Sequence, residues 1–293
     1  MTYPDELRLL IEDELERLTF AQDPLTDGLV EAMRYSLLAG GKRIRPVLAL
    51  ATARAIGRDA HDLLPLAAAI ELIHTYSLIH DDLPAMDDDD IRRGRPTNHV
   101  AFGQDVAILA GDGLYAEAFR HLLTHQTGAP ADVLAAVCEL AGATGVNGMV
   151  GGQYVDVSGI HHNGSDPARL LRRLHELKTG RLIAASVECV LLIAGMRRPQ
   201  TAIYCAFAAE LGVLFQIVDD ILDVTGTDDA LGKSSGNDER NGKCTYVTEF
   251  GLDGARVLAQ RSHRQARASL AEAAPHGAPE LEQITDFIAT RTS

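Results

Sequence analysis

The run Asp81-Asp82-Leu83-Pro84-Ala85-Met86-Asp87 is followed at once by Asp88-Asp89-Asp90 and then by Arg92-Arg93-Gly94-Arg95, so carboxylates and guanidiniums crowd into one short stretch. Carboxylate oxygens are hard ligands. Mg2+ takes one or two of them and fills its remaining positions with substrate phosphate and water, which makes the ion a bridge between two anions. On an ideal helix Asp87 lies about 240° around from Asp81, too far to share a ligand. Pro84 offers the remedy, because it ends the helix and lets the following turn bring Asp87 back. Taken alone, the run also reads as a solvated acidic loop with arginines as surface partners.

A second acidic signal, Phe215-Gln216-Ile217-Val218-Asp219-Asp220-Ile221-Leu222-Asp223, sits in an apolar helical segment. Asp219 and Asp223 are i and i+4, about 6 Å apart along the axis on one face, and two like charges there call for a cation between them. Asp220 points elsewhere. Basic residues stand where a phosphate site needs them: Lys42, Arg43 and Arg45 after Gly40-Gly41, Lys178-Thr179-Gly180-Arg181, Lys233 and Lys243. Arginine supplies a fork for phosphate oxygens and lysine a mobile point charge. Each alone reads equally well as a solvated surface cation, and Gly-Gly-Lys-Arg lacks the spacing of a P-loop. His74, seven residues before Asp81, falls on nearly the same helical face two turns away. Gln153, Thr179 and Gln216 are uncharged polar groups in apolar or glycine-rich surroundings, suited to a site or to core hydrogen bonding.

The elements that must hold these groups are helices. Apolar residues recur at helical spacing, as in Leu7, Leu10, Ile11, Leu15 and Leu18 and again in Leu66, Ile70, Ile73 and Leu78. No alternating pattern with paired turn signals announces a hairpin. Breaks at Gly40-Gly41, Asp87 to Pro96, Ser158 to Pro167 and Thr225 to Gly242 divide the chain into roughly ten helices. None is a domain linker, so the expected architecture is all-α, a single helical bundle over residues 1–293.

Composition bounds the partners. With 41 acidic against 27 basic residues the formal net charge is −14, which argues against generic nucleic-acid or anionic-membrane binding. An acidic protein that binds acidic substrates must bring cations to them, as metal ions or as local Lys/Arg clusters. Cys138, Cys189, Cys205 and Cys244 are widely spaced, with no zinc or disulfide pattern, so reduced thiols in the cytoplasm are expected. The most apolar stretch, Leu182 to Met196, is interrupted by Glu188, and no membrane span or export signal is expected.

In order along the chain, Gly40-Gly41-Lys42-Arg43-Ile44-Arg45-Pro46, Asp81 to Asp87 with Arg92-Arg93-Gly94, Gly151-Gly152-Gln153, Lys178-Thr179-Gly180, Phe215-Gln216 through Asp223, and Gly232-Lys233 to Lys243-Cys244-Thr245-Tyr246 resemble the successive blocks of the trans-type polyprenyl diphosphate synthases. That family includes the farnesyl and geranylgeranyl diphosphate synthases. The resemblance covers nearly the whole chain. It implies a helical barrel around a central cavity, usually as a homodimer. It implies that Asp81 and Asp87, supported by Asp82, hold two Mg2+ ions, and that Asp219, with Asp223 nearby, holds a third, Mn2+ being the alternative metal. It further implies that Arg92, Lys178 and Lys233 bind the allylic diphosphate, with Lys243 a further substrate-binding residue. Lys42, Arg45, His74 and Arg93 would bind isopentenyl diphosphate, and Thr179 and Gln216 would offer oxygen dipoles to the allylic cation. Val247 stands where a proline often follows Thr-Tyr in the family, and Asn237 where a lysine is common.

Tyr76, five residues before Asp81, lies about 7.5 Å further along the helix axis, but its angular offset of about 140° leaves its direction open. The resemblance implies that Tyr76, with Ser77 beside it, is the floor of the product tunnel, as in a synthase of farnesyl (C15) length. The alternatives are a geranylgeranyl (C20) synthase, a terpene cyclase, and a non-catalytic partner subunit. The isopentenyl-site cations and the second aspartate motif argue against the cyclase, and the intact aspartate sets argue against the silent subunit.

Overall fold

Alanine and leucine fill the segments between the Gly, Pro and Asp breaks, and both are strong helix formers. The computed structural model describes residues 3–20, 23–158, 167–197, 199–226 and 244–291, and its regular elements are almost all helical. They run α1 (Asp5–Arg17), α2 (Asp27–Leu37), α3 (Ile44–Ala55), α4 (Leu64–Asp81), α5 (Asn98–Phe102), α6 (Gln104–His125), α7 (Pro130–Thr144) and α8 (Met149–Ser158). Then follow α9 (Pro167–His175), a π-helical turn (Glu176–Gly180), α10 (Arg181–Ile193), α11 (Gln200–Thr225), α12 (Tyr246–Ala273) and α13 (Pro279–Thr290).

Helix α4 is apolar on nearly every side because it runs through the interior: Leu66, Ile70, Leu72 and Ile73 are fully buried. It lies along α6, while α10 packs against α7, α11 and α3, and α11 lies along α12. One continuous cluster of buried side chains extends from Leu7 in α1 to Ile288 in α13. The sequence break at Gly40-Gly41 coincides with a helix boundary, Gly40 and Gly41 taking φ of 76° and 121°, whereas α4 ends at Asp81, ahead of the break expected from Asp87 to Pro96.

One expectation needs correction, and the ground given for another needs replacing. A minimal hairpin does exist, Ile91–Arg92 (β1) pairing antiparallel with Arg95–Pro96 (β2). Its two-residue loop, Arg93 and Gly94, has positive φ at both positions, 55° and 69°, as a type I′ turn requires. Strands of two residues are too short for alternation to register in the sequence. Second, the stretches Ala60–Asp81, Pro130–Ser158 and Thr201–Thr225 are long and apolar enough to cross a membrane by length and composition. In the first and last, Ile70, Ile73, Leu211 and Leu214 are spent on the protein interior. The middle one is divided by the break between Thr144 and Met149.

Candidate active site

Helix α4 ends at Asp81, before Pro84, and the turn that follows closes on itself: the Asp87 amide donates to the Asp81 carbonyl at 2.9 Å, and the Asp88 amide donates to that of Leu83 at 3.2 Å. The proline-driven return of Asp87 toward Asp81 is therefore present. Beside this turn opens a cavity of about 680 Å3, within the usual range of small-molecule sites.

The cavity gathers residues scattered over most of the chain. Arg45 from α3, His74, Tyr76, Ser77 and Asp81 from α4, and Arg92 and Arg93 from the hairpin form one part of its wall. Lys178 and Thr179 from the π-helical turn and Gln216 and Asp219 from α11 complete the polar wall, and Met149, Val150 and Val157 of α8 add an apolar one. Lys233 and Lys243, with Asn237, lie outside the described residues.

Close backbone approaches set this geometry. A Cβ on Gly152 would sit 2.3 Å from the backbone nitrogen of Lys178, so only glycine lets α8 lie against the π-helical turn. A π turn widens the helix by one residue and recurs at functional sites. Here it presents Thr179, whose hydroxyl donates to Gln216 Oε1 at 3.0 Å. Gln216 Nε2 in turn donates to Asp220 Oδ1 at 2.7 Å, and Asp220 Oδ2 accepts the backbone N–H of Tyr246 at 2.7 Å. Asp220 thus points away from the cavity, as expected, and ties α11 to the start of α12. Lys178 Nζ donates to Asp156 Oδ2 at 2.6 Å; Asp156 gave no signal in the sequence, since one acidic residue on a helix is unremarkable.

The acidic groups divide by environment. Burial pushes the Asp81 carboxyl up to about 6, against the pull of Lys178 and Arg92. Asp82 is placed differently from the expectation that it backs a metal pair directly: it is buried, its Oδ1 accepting from Arg92 Nε at 2.7 Å and lying 2.6 Å from Nη2. Its support for the site is to hold Arg92 against the wall. Asp219 is half-exposed on the cavity wall and contacts Arg291 Nη2 at 3.2 Å. Asp223 is not on that wall; it is buried, and neither of its side-chain oxygens has a hydrogen-bond partner. A buried carboxylate without a partner is costly, so this corner fits a cation. No group of three or more metal-ligating side chains is assembled among the described residues. The donor set therefore suits a hard divalent ion that completes its coordination with phosphate oxygens and water.

At the other end the cations crowd together. Arg45 Nη1 and His74 Nε2 lie 3.3 Å apart, and burial lowers the imidazole's affinity for a proton, Arg45 adding to the effect. Burial lowers Arg45 itself to about 10. Arg93 Nη1 donates to the Gly40 carbonyl. Its guanidinium covers Gly41, where a Cβ would come within 2.8 Å of the guanidinium carbon. Lys42 does not line the cavity; its ammonium lies over the Phe287 ring, 5.2 Å from the centroid. Arg291, which also lines the cavity, escaped the sequence analysis because it follows the last helix as an isolated arginine.

A geranylgeranyl pyrophosphate synthase from Catharanthus roseus is 43% identical over 284 residues, 96% of this chain and 78% of that protein. A geranylgeranyl diphosphate synthase from Cyanophora paradoxa is 39% identical over 100% of this chain and 97% of its own length. Among solved structures, a farnesyl/geranylfarnesyl diphosphate (FPP/GFPP) synthase from Zymomonas mobilis superposes with a TM-score of 0.84 at 37% identity, covering 97% of this chain and 96% of that one. A geranyltransferase from Helicobacter pylori, complexed with magnesium and isoprenyl diphosphate, gives a TM-score of 0.86 at 30% identity, covering 98% and 97%. The polyprenyl synthetase family model matches residues 26–284, and the chain belongs to that family of prenyltransferases.

Proposed function

We propose that this chain, as a single catalytic domain over residues 1–293, joins isopentenyl diphosphate to an allylic diphosphate, dimethylallyl or geranyl, in a Mg2+-dependent reaction. The observation that carries the reading is one cavity with Asp81, Asp219, Lys178 and Arg92 on its polar wall and Met149, Val150 and Val157 on its apolar wall. Asp81, Asp87 and Asp219, with Asp223 behind, would hold Mg2+, three ions per site with Mn2+ the alternative, and the metal would supply charge neutralisation to the departing diphosphate. The Helicobacter pylori neighbour, complexed with magnesium and isoprenyl diphosphate, supports the dependence on Mg2+.

Charge grows on the allylic diphosphate as its C–O bond breaks. Lys178 and Arg92, held in place by Asp156 and Asp82, are pre-aimed donors for it, and preorganised donors stabilise the transition state more than the ground state. The Thr179–Gln216 hydrogen bond fixes two oxygen dipoles beside the path of the allylic cation. The apolar wall of α8 keeps water from that cation. Arg45, His74 and Arg93, with Lys42, bind the isopentenyl diphosphate whose double bond attacks, and the proton then lost passes to the released diphosphate. No covalent enzyme intermediate is needed.

For product length we favour farnesyl diphosphate, C15. Tyr76 lines the cavity and is backed edge-on by Tyr115 at 4.9 Å, which in turn meets Phe119 at 5.2 Å. A C20 product is the second reading, favoured by the geranylgeranyl names of the curated relatives. The assembly is read as a homodimer. Leu109, Ala116 and Leu123 form an exposed stripe on α6 at heptad spacing, which suits pairing with a second copy. The three apolar stretches long enough to span a bilayer are read as core helices, and the four free cysteines suit the cytoplasm.

The test is incubation of purified protein with isopentenyl diphosphate and each allylic starter, with and without Mg2+, followed by chain-length analysis. Metal-dependent C15 is expected, and Asp81→Ala should abolish it. C20 would keep the reaction and discard the Tyr76 floor; no condensation with any starter would overturn the reading in favour of a silent partner subunit.

A further inference from the structure

Ahead of α1, the N-terminal segment sends an aromatic side chain to the loop that carries Lys42. The Tyr3 hydroxyl donates to the Lys42 carbonyl at 2.6 Å, the two residues being 39 apart in sequence. That carbonyl lies in irregular backbone, between Gly41 at φ of 121° and Arg43 at φ of 50°. The residue four places on, whose amide a helix would use as donor, is Pro46, which has no N–H. A donor from elsewhere in the fold satisfies it instead. Burial pushes the pKa of the Tyr3 hydroxyl up, so the proton stays on the oxygen.

Phe287 of α13 completes the contact. Its ring centroid lies 4.8 Å from that of Tyr3, the planes at 55°, and the Lys42 ammonium sits over the same Phe287 ring. Three segments distant in sequence thus meet at Tyr3, Lys42 and Phe287. Arg54 ties the same segments a second time, reaching Glu6 of α1 at 2.6 Å and Glu280 of α13 at 3.2 Å. Lys42 is outside the cavity wall, yet its charge feels two residues on that wall. Burial foremost and then Arg291 lower its affinity for a proton, while Asp219 raises it.

A lysine ammonium rides on a flexible four-carbon stem, so where it can go depends on how firmly its peptide is fixed. We propose that Tyr3 is a positioning residue for the isopentenyl diphosphate half of the site: its hydroxyl fixes the Lys42 peptide, and its ring, with that of Phe287, sets the course of the Lys42 side chain toward the incoming diphosphate. The inference rests on the prenyltransferase reading above, in which Lys42 meets that substrate. Tyr3 does not line the cavity and acts only through Lys42.

The experiment is steady-state kinetics with Mg2+ and geranyl diphosphate in wild type, Tyr3→Phe, Lys42→Met and the double variant, alongside thermal unfolding of each. Tyr3→Phe keeps the ring and removes only the hydroxyl, and the Arg54 bridges keep the segment docked, so the melting temperature should change little. KM for isopentenyl diphosphate should rise about threefold to tenfold, the loss of one hydrogen bond, while KM for geranyl diphosphate and kcat stay close to wild type. In the Lys42→Met background the same change should add almost nothing, because its route to the substrate is already cut. An unchanged KM for isopentenyl diphosphate in Tyr3→Phe or in Lys42→Met would overturn the proposal, as would an undiminished effect of Tyr3→Phe in the Lys42→Met background. A parallel loss in both KM values, kcat and melting temperature would make Tyr3 a general support and overturn its positioning role. Wild-type protein that condenses isopentenyl diphosphate with neither dimethylallyl nor geranyl diphosphate would instead sink the underlying prenyltransferase reading, which keeps the two failures apart.

Discussion

Arg43 Nη1 and Glu71 Oε1 lie 2.5 Å apart in the interior, both side chains sealed from solvent. Arg43 precedes the first turn of α3 with φ of 50°, and it also donates from Nε to Glu12 at 2.9 Å and from Nη2 to the Leu37 carbonyl at 2.7 Å. This pairing fixes the peptide from which Lys42 and Arg45 depart on either side. Arg43 itself is not on the cavity wall.

Glu71→Gln should therefore act on stability and on substrate binding together. Removing one partner leaves a buried guanidinium short of charge, which costs about 3 kcal/mol, the lower end for such pairs, because Glu12 remains. Denaturant unfolding measures the loss. In kinetics, KM for isopentenyl diphosphate should rise more than kcat falls, since the change loosens the first turn of α3, which presents Arg45, and leaves the Lys178 side of the cavity intact.

Tyr76→Ala should lengthen the product by one five-carbon unit. The space it opens ends at the next ring, Tyr115, whose hydroxyl lies 3.2 Å from Thr144 Oγ1 and so resists rotation. The double variant Tyr76→Ala/Tyr115→Ala should release a further extension, read by chromatography of the dephosphorylated alcohols. An unchanged product in both would discard the floor.

Gly152→Ala should lose stability and turnover in one step. The new methyl group meets the Lys178 backbone at 2.3 to 2.6 Å, and backbone cannot yield as a flexible side chain does. The overpacking should cost about 1–3 kcal/mol, and displacement of the π-helical turn should lower kcat by moving Lys178 and Thr179. A variant with wild-type melting temperature and kcat would show that this contact is not tight in solution.

Acid should destabilise the fold through His121. Burial lowers this imidazole to about 4, the neighbouring His125 and Arg120 adding to the effect, and its Nε2 has no hydrogen-bond partner, the nearest carboxylate, Glu14, standing at 4.0 Å. The unfolded chain binds a proton near pH 6.5 while the folded one resists until about 4, so this contribution to stability is present above pH 6.5 and is lost as pH falls toward 4. His121→Leu should flatten the decline of melting temperature across that window. A profile identical to wild type would assign the acid sensitivity to other groups.

Much of the molecule was legible in the sequence because it rests on local rules. Helical periodicity and the Gly/Pro breaks marked the elements, and Pro84 announced that α4 must stop before Asp87. The cations of the Gly-Gly-Lys-Arg and Lys-Thr-Gly blocks were legible by residue type. The hairpin was not, because a two-residue strand has no period to detect, and its Arg93-Gly94 turn reads as one more loop.

What the sequence by itself determined is the inventory: which carboxylates and cations are present, in what order, on helices of what length. Only the tertiary structure decided how they are spent. Asp81 faces the cavity while adjacent Asp82 holds Arg92, and Asp219 faces it while Asp220 anchors α12, because neighbouring residues on a helix diverge by about 100° and only packing says which direction is inward. Tyr76 turned inward for the same reason, since α4 is surrounded and every direction from it meets something. Arg291 and Asp219 are 72 residues apart, and no local pattern links them. Their contact exists because α13 packs against α3 and α11 and delivers the residue that follows it to the cavity wall.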